Sequence, residues 1–155
     1  MRIAIIGRTA TLLESAQRLV DAGHRIAMVI TSRPSPEQTG GEEDFRAFAA
    51  AHGAVFLSSP TLEREMLSAG GAIDAGVSLN FPTVIGQPAI DALEFGILNA
   101  HGGDLPRYRG NACQAWALLQ GETRIGLCIH RMVGDDVDAG HIVLRRYPDV
   151  TIDTG

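Results

Sequence analysis

The sequence predicts an α/β fold in three layers, with a mainly parallel sheet, helices on both of its faces and an antiparallel strand pair near the carboxyl terminus. Short runs rich in β-branched residues alternate with segments whose apolar residues recur at helical spacing. Close to the carboxyl terminus two such runs follow one another with no helical pattern between them, which favours antiparallel pairing. The chain of 155 residues has room for one domain, residues 1–155.

A strand, a helix and a second strand form the first unit of the chain. Arg2 to Ile6 is an apolar run closed by Gly7, which is typical of a central parallel strand. Apolar residues then recur at helical spacing from Leu12 to Val20, and Arg25 to Thr31 is the next strand. The turn after the first strand lacks the G-x-G-x-x-G spacing, so the sequence does not encode a dinucleotide pyrophosphate site there.

The rest of the chain continues this alternation, which makes the predicted fold Rossmann-like. Strands are predicted at Ala54–Leu57, Ala72–Leu79, Ile97–His101, Arg124–Met132 and His141–Tyr147, and helices at 44–52, Thr61–Ala69, Pro88–Leu93 and Asn111–Gln120. The polar segment Ser32 to Glu43 is rich in proline and glycine. It is either a plain connection or a mobile flap over a site.

Composition and charge narrow the class of protein. Apolar residues make up 45% of the chain and charged residues 20%, as in ordinary globular proteins, and the net charge of −5 gives no overall attraction to nucleic acid or anionic membrane. The two cysteines, Cys113 and Cys128, have neither a metal-ligand spacing nor a disulfide pattern. No segment predicts a signal peptide or a membrane span. We therefore expect a cytoplasmic protein.

Polar side chains gather at the end of the fifth predicted strand. Asn99 and His101 are two residues apart in a strand, so they project from the same face at its carboxyl end, where open α/β sheets bind ligands. The alternative is an Asn that caps a turn and a half-buried His bonded to backbone. The acidic segment between the last two strands is either solvated or places one carboxylate beside His101.

Other reactive residue types are interpreted as structural. His24, His52, His130 and His141 have no metal-ligand spacing and are predicted to be surface or strand-edge residues, so no metal site is expected. Cys113 lies in a predicted helix with no histidine near it in sequence, which disfavours a nucleophilic role. No serine lies in a G-x-S-x-G turn.

Two motifs in order carry a resemblance to a known family. The first is Asn99-Ala-His101-Gly-Gly-Asp-Leu-Pro-Arg-Tyr-Arg-Gly110, and the second is Val137-Asp138-Ala-Gly140-His-Ile142. A helix containing Ala-Trp-Ala lies between them, and a strand ending in Ser78-Leu-Asn-Phe81 precedes them. The chain resembles the folate-dependent formyltransferase family, which includes methionyl-tRNA formyltransferase, glycinamide ribonucleotide formyltransferase and the sugar N-formyltransferases. The similarity extends over most of the chain.

The resemblance implies an enzyme, a cosubstrate and site residues. It predicts a transferase that moves a formyl group from 10-formyltetrahydrofolate to a primary amine, with Asn99, His101 and Asp138 as the catalytic residues. The predicted folate pocket consists of Ser78, Leu79, Asn80, Phe81, Val84, Ile85, Asp135, Val137 and Gly140. Residues predicted to bind the acceptor are Asp104, Arg107, Tyr108 and Arg109.

Departures from the family pattern limit the prediction of the acceptor. Gly103 and Asp104 replace the usual Ser-Leu, so that Asp104 either binds an acceptor ammonium group or pairs with Arg107 or Arg109. The phosphate loop of the glycinamide ribonucleotide enzymes and the carboxyl-terminal domain of the transfer-RNA enzymes are missing. A terminal helix usual for the catalytic domain is missing as well, which indicates a minimal version or a longer protein cut short. We therefore expect a small-molecule amine rather than nucleic acid, and a hydrolase or a non-catalytic binding module remains as the alternative.

Overall fold

The computed structural model describes residues 1–33, 41–134 and 136–149. Within these residues the chain forms seven strands: β1 (Arg2–Gly7), β2 (Arg25–Thr31), β3 (Val55–Ser58), β4 (Ala75–Leu79), β5 (Ile97–His101), β6 (Leu127–Arg131) and β7 (Ile142–Arg146). The α-helices in the same described ranges are α1 (Ala10–Asp21), α2 (Glu42–Ala51), α3 (Arg64–Leu67), α4 (Gln87–Ile90) and α5 (Cys113–Leu119). None of these helices is both long and apolar enough to span a membrane.

All seven strands form one sheet in the order β3-β2-β1-β4-β5-β6-β7. The five strands β3, β2, β1, β4 and β5 run parallel to one another, and β6 pairs antiparallel with both β5 and β7. The predicted α/β fold with an antiparallel pair near the carboxyl terminus is confirmed. The chain proceeds to one side of β1 first and then to the other side with β4. In sheets of this kind, ligands bind at the carboxyl ends of the strands beside that reversal.

The core lies on both faces of the sheet because successive strand side chains alternate between faces. In β1, Ile3 and Ile5 pack against α1 and α2, whereas Ala4 and Ile6 pack in a second cluster that includes residues of α3 and α4. Both faces of β1 are therefore buried, which explains its continuous apolar sequence. Coverage falls toward the far edge, where Leu127 of β6 is 46% exposed and Val143 of β7 is 60% exposed.

Several predicted boundaries were too wide. The helix predicted at Thr61–Ala69 is the single turn α3 followed by a 3-10 turn, Ser68–Gly70. The strand predicted from Ala72 begins at Ala75, because Arg2 binds the loop before it: its guanidinium donates to the carbonyls of Gly70 and Ala72 and its N–H to the carboxylate of Asp74. These hydrogen bonds pair the carbonyl groups of the loop with the Arg2 side chain, so that neither the predicted helix nor the predicted strand extends into the loop.

The turn before β7 approaches β6 so closely that only glycine fits at position 140. A Cβ atom on Gly140 would lie 1.4 Å from the carbonyl oxygen of Arg131, at the end of β6. That contact is with backbone, which cannot move aside as a side chain can. Gly140 therefore sets how the loop that carries Asp138 returns to the sheet.

We expect Gly140→Ala to lower the free energy of unfolding by at least about 2 kcal/mol, because backbone must shift to relieve the overlap. Gly86→Ala is the matched control, since a Cβ atom there would meet only the Pro88 ring at an ordinary 3.6 Å. Urea denaturation of both variants measures the difference. A Gly140→Ala variant as stable as Gly86→Ala would contradict this account of the turn.

Candidate active site

A cleft of about 330 Å³ opens at the carboxyl ends of β4 and β5. Its walls come from five parts of the chain: the end of β4 with the following loop, the end of β5, the segment that leads into α5, the end of β6, and the loop before β7. The residues that line it are Ser78, Asn80–Val84, Asn99–Gly102, Gly110–Gln114, His130, Met132, Val133 and Asp136–Asp138. The cleft lies where the topology of the sheet predicts a ligand site.

Asn99 and His101 both reach the cleft, as the strand pattern predicts. In the antiparallel register of β5 and β6, Asn99 lies opposite His130 and His101 opposite Cys128. Alternation along β5 turns the side chain of Leu98 to the other face of the sheet. The sheet thus aligns the carboxamide and the first imidazole on one side.

Asp138 joins these groups from the loop before β7. Its Oδ2 lies 3.5 Å from Nδ1 of His101 and accepts a hydrogen bond of 2.8 Å from the backbone N–H of Gly110. Its Oδ1 lies 3.5 Å from Nε2 of His130. The backbone of Asp138 is left-handed, with φ of 51°, a conformation that Asp tolerates better than most residues. A turn in the loop therefore aims the carboxylate inward.

The surroundings of Asp138 favour the ionised carboxylate. Burial by itself raises the pKa of this group, since its side chain is only 13% exposed. The hydrogen bond from the N–H of Gly110 and the charge of the His101 imidazole act in the opposite direction, and the pKa is lowered from the ordinary 3.8. A negative charge is thus held inside the cleft at neutral pH.

His101 has a partner at each ring nitrogen. Its Nε2 lies 2.7 Å from the carbonyl oxygen of Tyr108, and because a carbonyl only accepts, this nitrogen carries a proton. Nδ1 faces Asp138, so a second proton there would form an imidazolium beside the carboxylate. The ring is therefore oriented by the backbone of the loop after β5 and is placed to exchange a proton with the carboxylate.

His130 is the site residue that the sequence analysis missed. The prediction that it lies at the surface or a strand edge is wrong, because its ring is 1% exposed. Nε2 lies 3.1 Å from Nδ2 of Asn99, and Nδ1 lies 3.2 Å from the carbonyl oxygen of Arg131. The predicted antiparallel strand that contains His130 could have indicated this position. If that strand pairs with β5 in the register that is observed, His130 lies opposite Asn99.

The predicted folate pocket is partly in the cleft. Ser78, Asn80, Phe81, Val84 and Val137 line it. The other described residues do not: Leu79 points to the opposite face of the sheet and packs toward α1 and α2, Ile85 is fully buried in the second core cluster, and Gly140 lies against Arg131. Asp135 lies outside the described residues. The predicted pocket was too wide because it included every residue of a loop, and some of those side chains pack in the core.

The charged side chains of the loop after β5 pair among themselves. Arg107 contacts Glu122 at 2.6 Å, and Arg109 contacts Asp136 at 3.3 Å. The predicted pairing of Asp104 with one of these arginines is wrong. Asp104 instead lies 3.5 Å from Arg145 on β7 and accepts a hydrogen bond of 3.0 Å from the hydroxyl of Tyr147. The prediction considered only arginines close to Asp104 in sequence, whereas β7, which follows about 40 residues later, lies next to this loop.

These loop side chains border a neighbouring cavity rather than the cleft itself. Asp104, Arg107 and Tyr108 line a space of about 370 Å³ on the other side of the loop, and Arg109 lines a third depression beside Trp116. The Tyr108 hydroxyl donates to Glu122 at 3.1 Å. Only the backbone of Tyr108 serves the cleft, through the carbonyl that binds His101.

Cys113 begins α5 and lies against the site. Its Sγ is 3.5 Å from Nε2 of His101 and 3.1 Å from the carbonyl oxygen of Gly110. The fold therefore places a histidine next to this cysteine, although none lies near it in the sequence. Burial, and then the charge of Asp138, raise the pKa of the thiol. The group therefore remains protonated at neutral pH, which does not favour a nucleophile. Within the described ranges, no cluster of three or more His, Cys, Asp or Glu residues is arranged to hold a metal ion.

Comparison with known proteins gives relatives across nearly the whole chain. The sequence model of the family described as "Formyl transferase" matches residues 1–154. The methionyl-tRNA formyltransferase of Anaeromyxobacter dehalogenans is 32% identical over 152 residues, covering 94% of this chain and 48% of that protein. The methionyl-tRNA formyltransferase of Solibacter usitatus is 28% identical over 158 residues, covering 97% and 50%. The chain thus spans about half the length of these curated relatives.

Solved structures share the fold. Glycinamide ribonucleotide transformylase 1 from Symbiobacterium toebii superposes with a TM-score of 0.77 at 23% identity, covering 97% of this chain and 74% of that one. The N-formyltransferase from Helicobacter canadensis, solved in complex with folinic acid and dTDP-3-aminofucose, superposes with a TM-score of 0.70 at 15% identity, covering 97% and 53%. At these identities the likeness establishes the fold alone.

We expect Asp138→Asn to destabilise the protein in a pH-dependent way. A carboxyl group whose pKa is lowered by folding stabilises the native state above its unfolded pKa, and this contribution is lost as the pH falls through the folded value. Wild type should therefore be more stable than Asp138→Asn at pH 7, and the difference should shrink below about pH 3.8, the ordinary value. Denaturant unfolding from pH 3 to pH 7 measures it.

Asp136→Asn is the control for that series. Asp136 lies in the same loop, but its side chain is 64% exposed and its ion pair with Arg109 is open to solvent. Such pairs contribute little, so this variant should stay within about 0.5 kcal/mol of wild type. A stability difference for Asp138→Asn that increases toward acid pH would contradict the lowered pKa.

Proposed function

The chain belongs to the formyl transferase family, and we propose that it transfers a formyl group from 10-formyltetrahydrofolate to a primary amine. The observation that carries this proposal is the meeting of Asn99, His101 and Asp138 in one cleft. These residues come from β5 and from a loop 37 positions later, yet the carboxylate lies within 3.5 Å of the imidazole. The proposed catalytic unit is the single domain formed by residues 1–155.

Asn99 is the proposed donor to the reacting oxygen. When the amine nitrogen attacks the formyl carbon, the carbonyl oxygen gains negative charge before the bond to N10 of the folate breaks. A fixed N–H group aimed at that oxygen stabilises the transition state. The Asn99 carboxamide carries two N–H bonds, of which one is used by His130. The other remains for the substrate.

His101 and Asp138 are the proposed proton-handling pair. The attacking amine must lose one proton, and N10 must gain one as it leaves. The ionised carboxylate of Asp138 attracts an ammonium group and lies 3.5 Å from Nδ1 of His101, so a proton can be exchanged between the two groups. Because Nε2 is bound to the Tyr108 carbonyl, Nδ1 is the nitrogen available for this exchange.

The folate donor is proposed to bind along the β4 side of the cleft. Folinic acid, a formylated folate, is present in the Helicobacter canadensis structure with the same fold. In this chain the corresponding cleft presents Phe81 with Val84 and Val137, which are 64% and 48% exposed. A flat ring system would cover these apolar side chains, while Ser78 and Asn80 offer polar groups beside them.

The acceptor is proposed to be a small molecule with a primary amine, such as an amino sugar or an amino-acid-like amine. The names of two related proteins, methionyl-tRNA formyltransferase and glycinamide ribonucleotide transformylase, point to methionyl-tRNA and glycinamide ribonucleotide as their acceptors. In the loop after β5, beside the cleft, Arg107 and Arg109 are each paired with a carboxylate. Basic side chains neutralised in this way do not form the positive surface that a nucleic-acid backbone requires, which disfavours a transfer-RNA acceptor.

Substituting the three residues one at a time tests the function. We expect Asn99→Ala, His101→Ala and Asp138→Asn each to lower kcat by about 100-fold or more, because each removes a group that acts on developing charge. The assay is mass spectrometry for the gain of one formyl unit on a panel of amines, with 10-formyltetrahydrofolate as donor.

Binding and a remote substitution serve as controls. Folinic acid should still raise the melting temperature of the three variants, which shows that the cleft is intact. Glu14→Gln, at an exposed position of α1, should keep the wild-type rate. Folate binding by wild type without formylation of any amine would identify a binding module instead, and full turnover in Asn99→Ala would refute the assigned role.

A further inference from the structure

His130 is buried within the catalytic cluster, yet the proposed chemistry gives it no task. Its Nδ1 lies 3.2 Å from the carbonyl oxygen of Arg131, and its Nε2 lies 3.1 Å from the amide nitrogen of Asn99. A carbonyl oxygen only accepts, so the ring proton belongs on Nδ1. A neutral imidazole protonated there has a lone pair on Nε2, and this lone pair accepts an N–H of Asn99.

We propose that His130 is a positioning residue, whose Nε2 lone pair holds the Asn99 amide nitrogen on the side of the carboxamide that faces the His130 ring. The inference rests on the formyl transfer proposed above. A carboxamide has nearly the same shape after a half turn about its last bond, because its oxygen and nitrogen are similar in size. Packing alone therefore cannot choose the orientation, whereas a single acceptor beside the nitrogen can.

The orientation matters because only the nitrogen can donate to a developing oxyanion. After a half turn, the amide oxygen would occupy the position 3.1 Å from His130, next to a ring that is itself 3.5 Å from Asp138. The cluster would then present a carbonyl dipole, with its negative end inward, to an oxygen that is gaining negative charge. His130 thus acts on the reaction through Asn99.

The competing arrangement is a doubly protonated His130. Four groups face the ring: the carboxylate of Asp138, the carboxamide of Asn99, the ring of His101 in an edge-on arrangement with 6.3 Å between centroids, and the carbonyl of Arg131. An imidazolium would donate from Nε2 and require the Asn99 oxygen to turn toward it. The 3.1 Å contact with Nδ2 is of hydrogen-bond length, while the 3.5 Å contact with Asp138 is longer. The proposed assignment is the ring with one proton, because its shorter contact is the one with Asn99.

Two substitutions separate positioning from packing. His130→Met fills similar space without a strong acceptor, whereas His130→Gln can place its amide oxygen near the former Nε2. We expect His130→Met to lower kcat about 30-fold or more, as for a misplaced oxyanion donor, with little change in KM for the folate donor. His130→Gln should recover most of that rate. His24→Met is the matched control, because His24 precedes β2 at the opposite end of the sheet.

Nitrogen NMR of the wild-type protein reads the hydrogen bond directly. Imidazole 15N shifts should show Nδ1 of His130 protonated and Nε2 unprotonated at neutral pH, with a through-hydrogen-bond coupling between Nε2 and Nδ2 of Asn99. Protonation at Nε2 would overturn the inference, as would a wild-type kcat in His130→Met or equal losses in the Met and Gln variants. If wild type formylates no amine, the proposed function fails, and the NMR measurement still decides whether His130 orients Asn99.

Discussion

The carboxylate of Asp138 is the constraint on which the candidate site depends. A charge that is only 13% exposed is unfavourable unless other groups compensate for lost water. Here the compensation comes from the backbone N–H of Gly110 and from His101. These partners belong to the loop after β5 and to β5 itself. Keeping the carboxylate ionised therefore requires the loop that carries Asp138 to lie against both of them, which couples the formation of the site to the fold.

The close packing of the last hairpin provides that placement. Asp138 can reach the two imidazoles only if the loop that carries it lies directly against the sheet. Glycine makes this approach possible at both ends of the loop: a Cβ atom on Gly134 would lie 2.1 Å from the backbone nitrogen of Gln87, and one on Gly140 would overlap the carbonyl of Arg131. The hydrogen bond from the N–H of Gly134 to the side chain of Gln87 joins the same loop to α4. Backbone contacts, rather than long side chains, thus fix the position of the carboxylate.

The loop after β5 serves the cleft with its main chain. The carbonyl of Tyr108 accepts hydrogen bonds from His101 and Cys113, and the N–H of Gly110 donates to Asp138. Its charged side chains point to neighbouring depressions, where Arg107 and Arg109 form exposed ion pairs. Residue identity therefore revealed little about what this segment does in the site. A loop can hold a catalytic group through atoms that every residue has.

The sequence by itself determined the order of strands and helices, the family, and the shared face of Asn99 and His101, because alternation and hydrophobic periodicity are local properties of the chain. It could not determine that His130 lies between Asn99 and Asp138, since that depends on the register in which β6 pairs with β5. Nor could it show that Leu79 and Ile85 belong to the core while Val84 and Val137 line the cleft. Those assignments were decided by the tertiary structure, because burial and pairing follow from which distant segments meet.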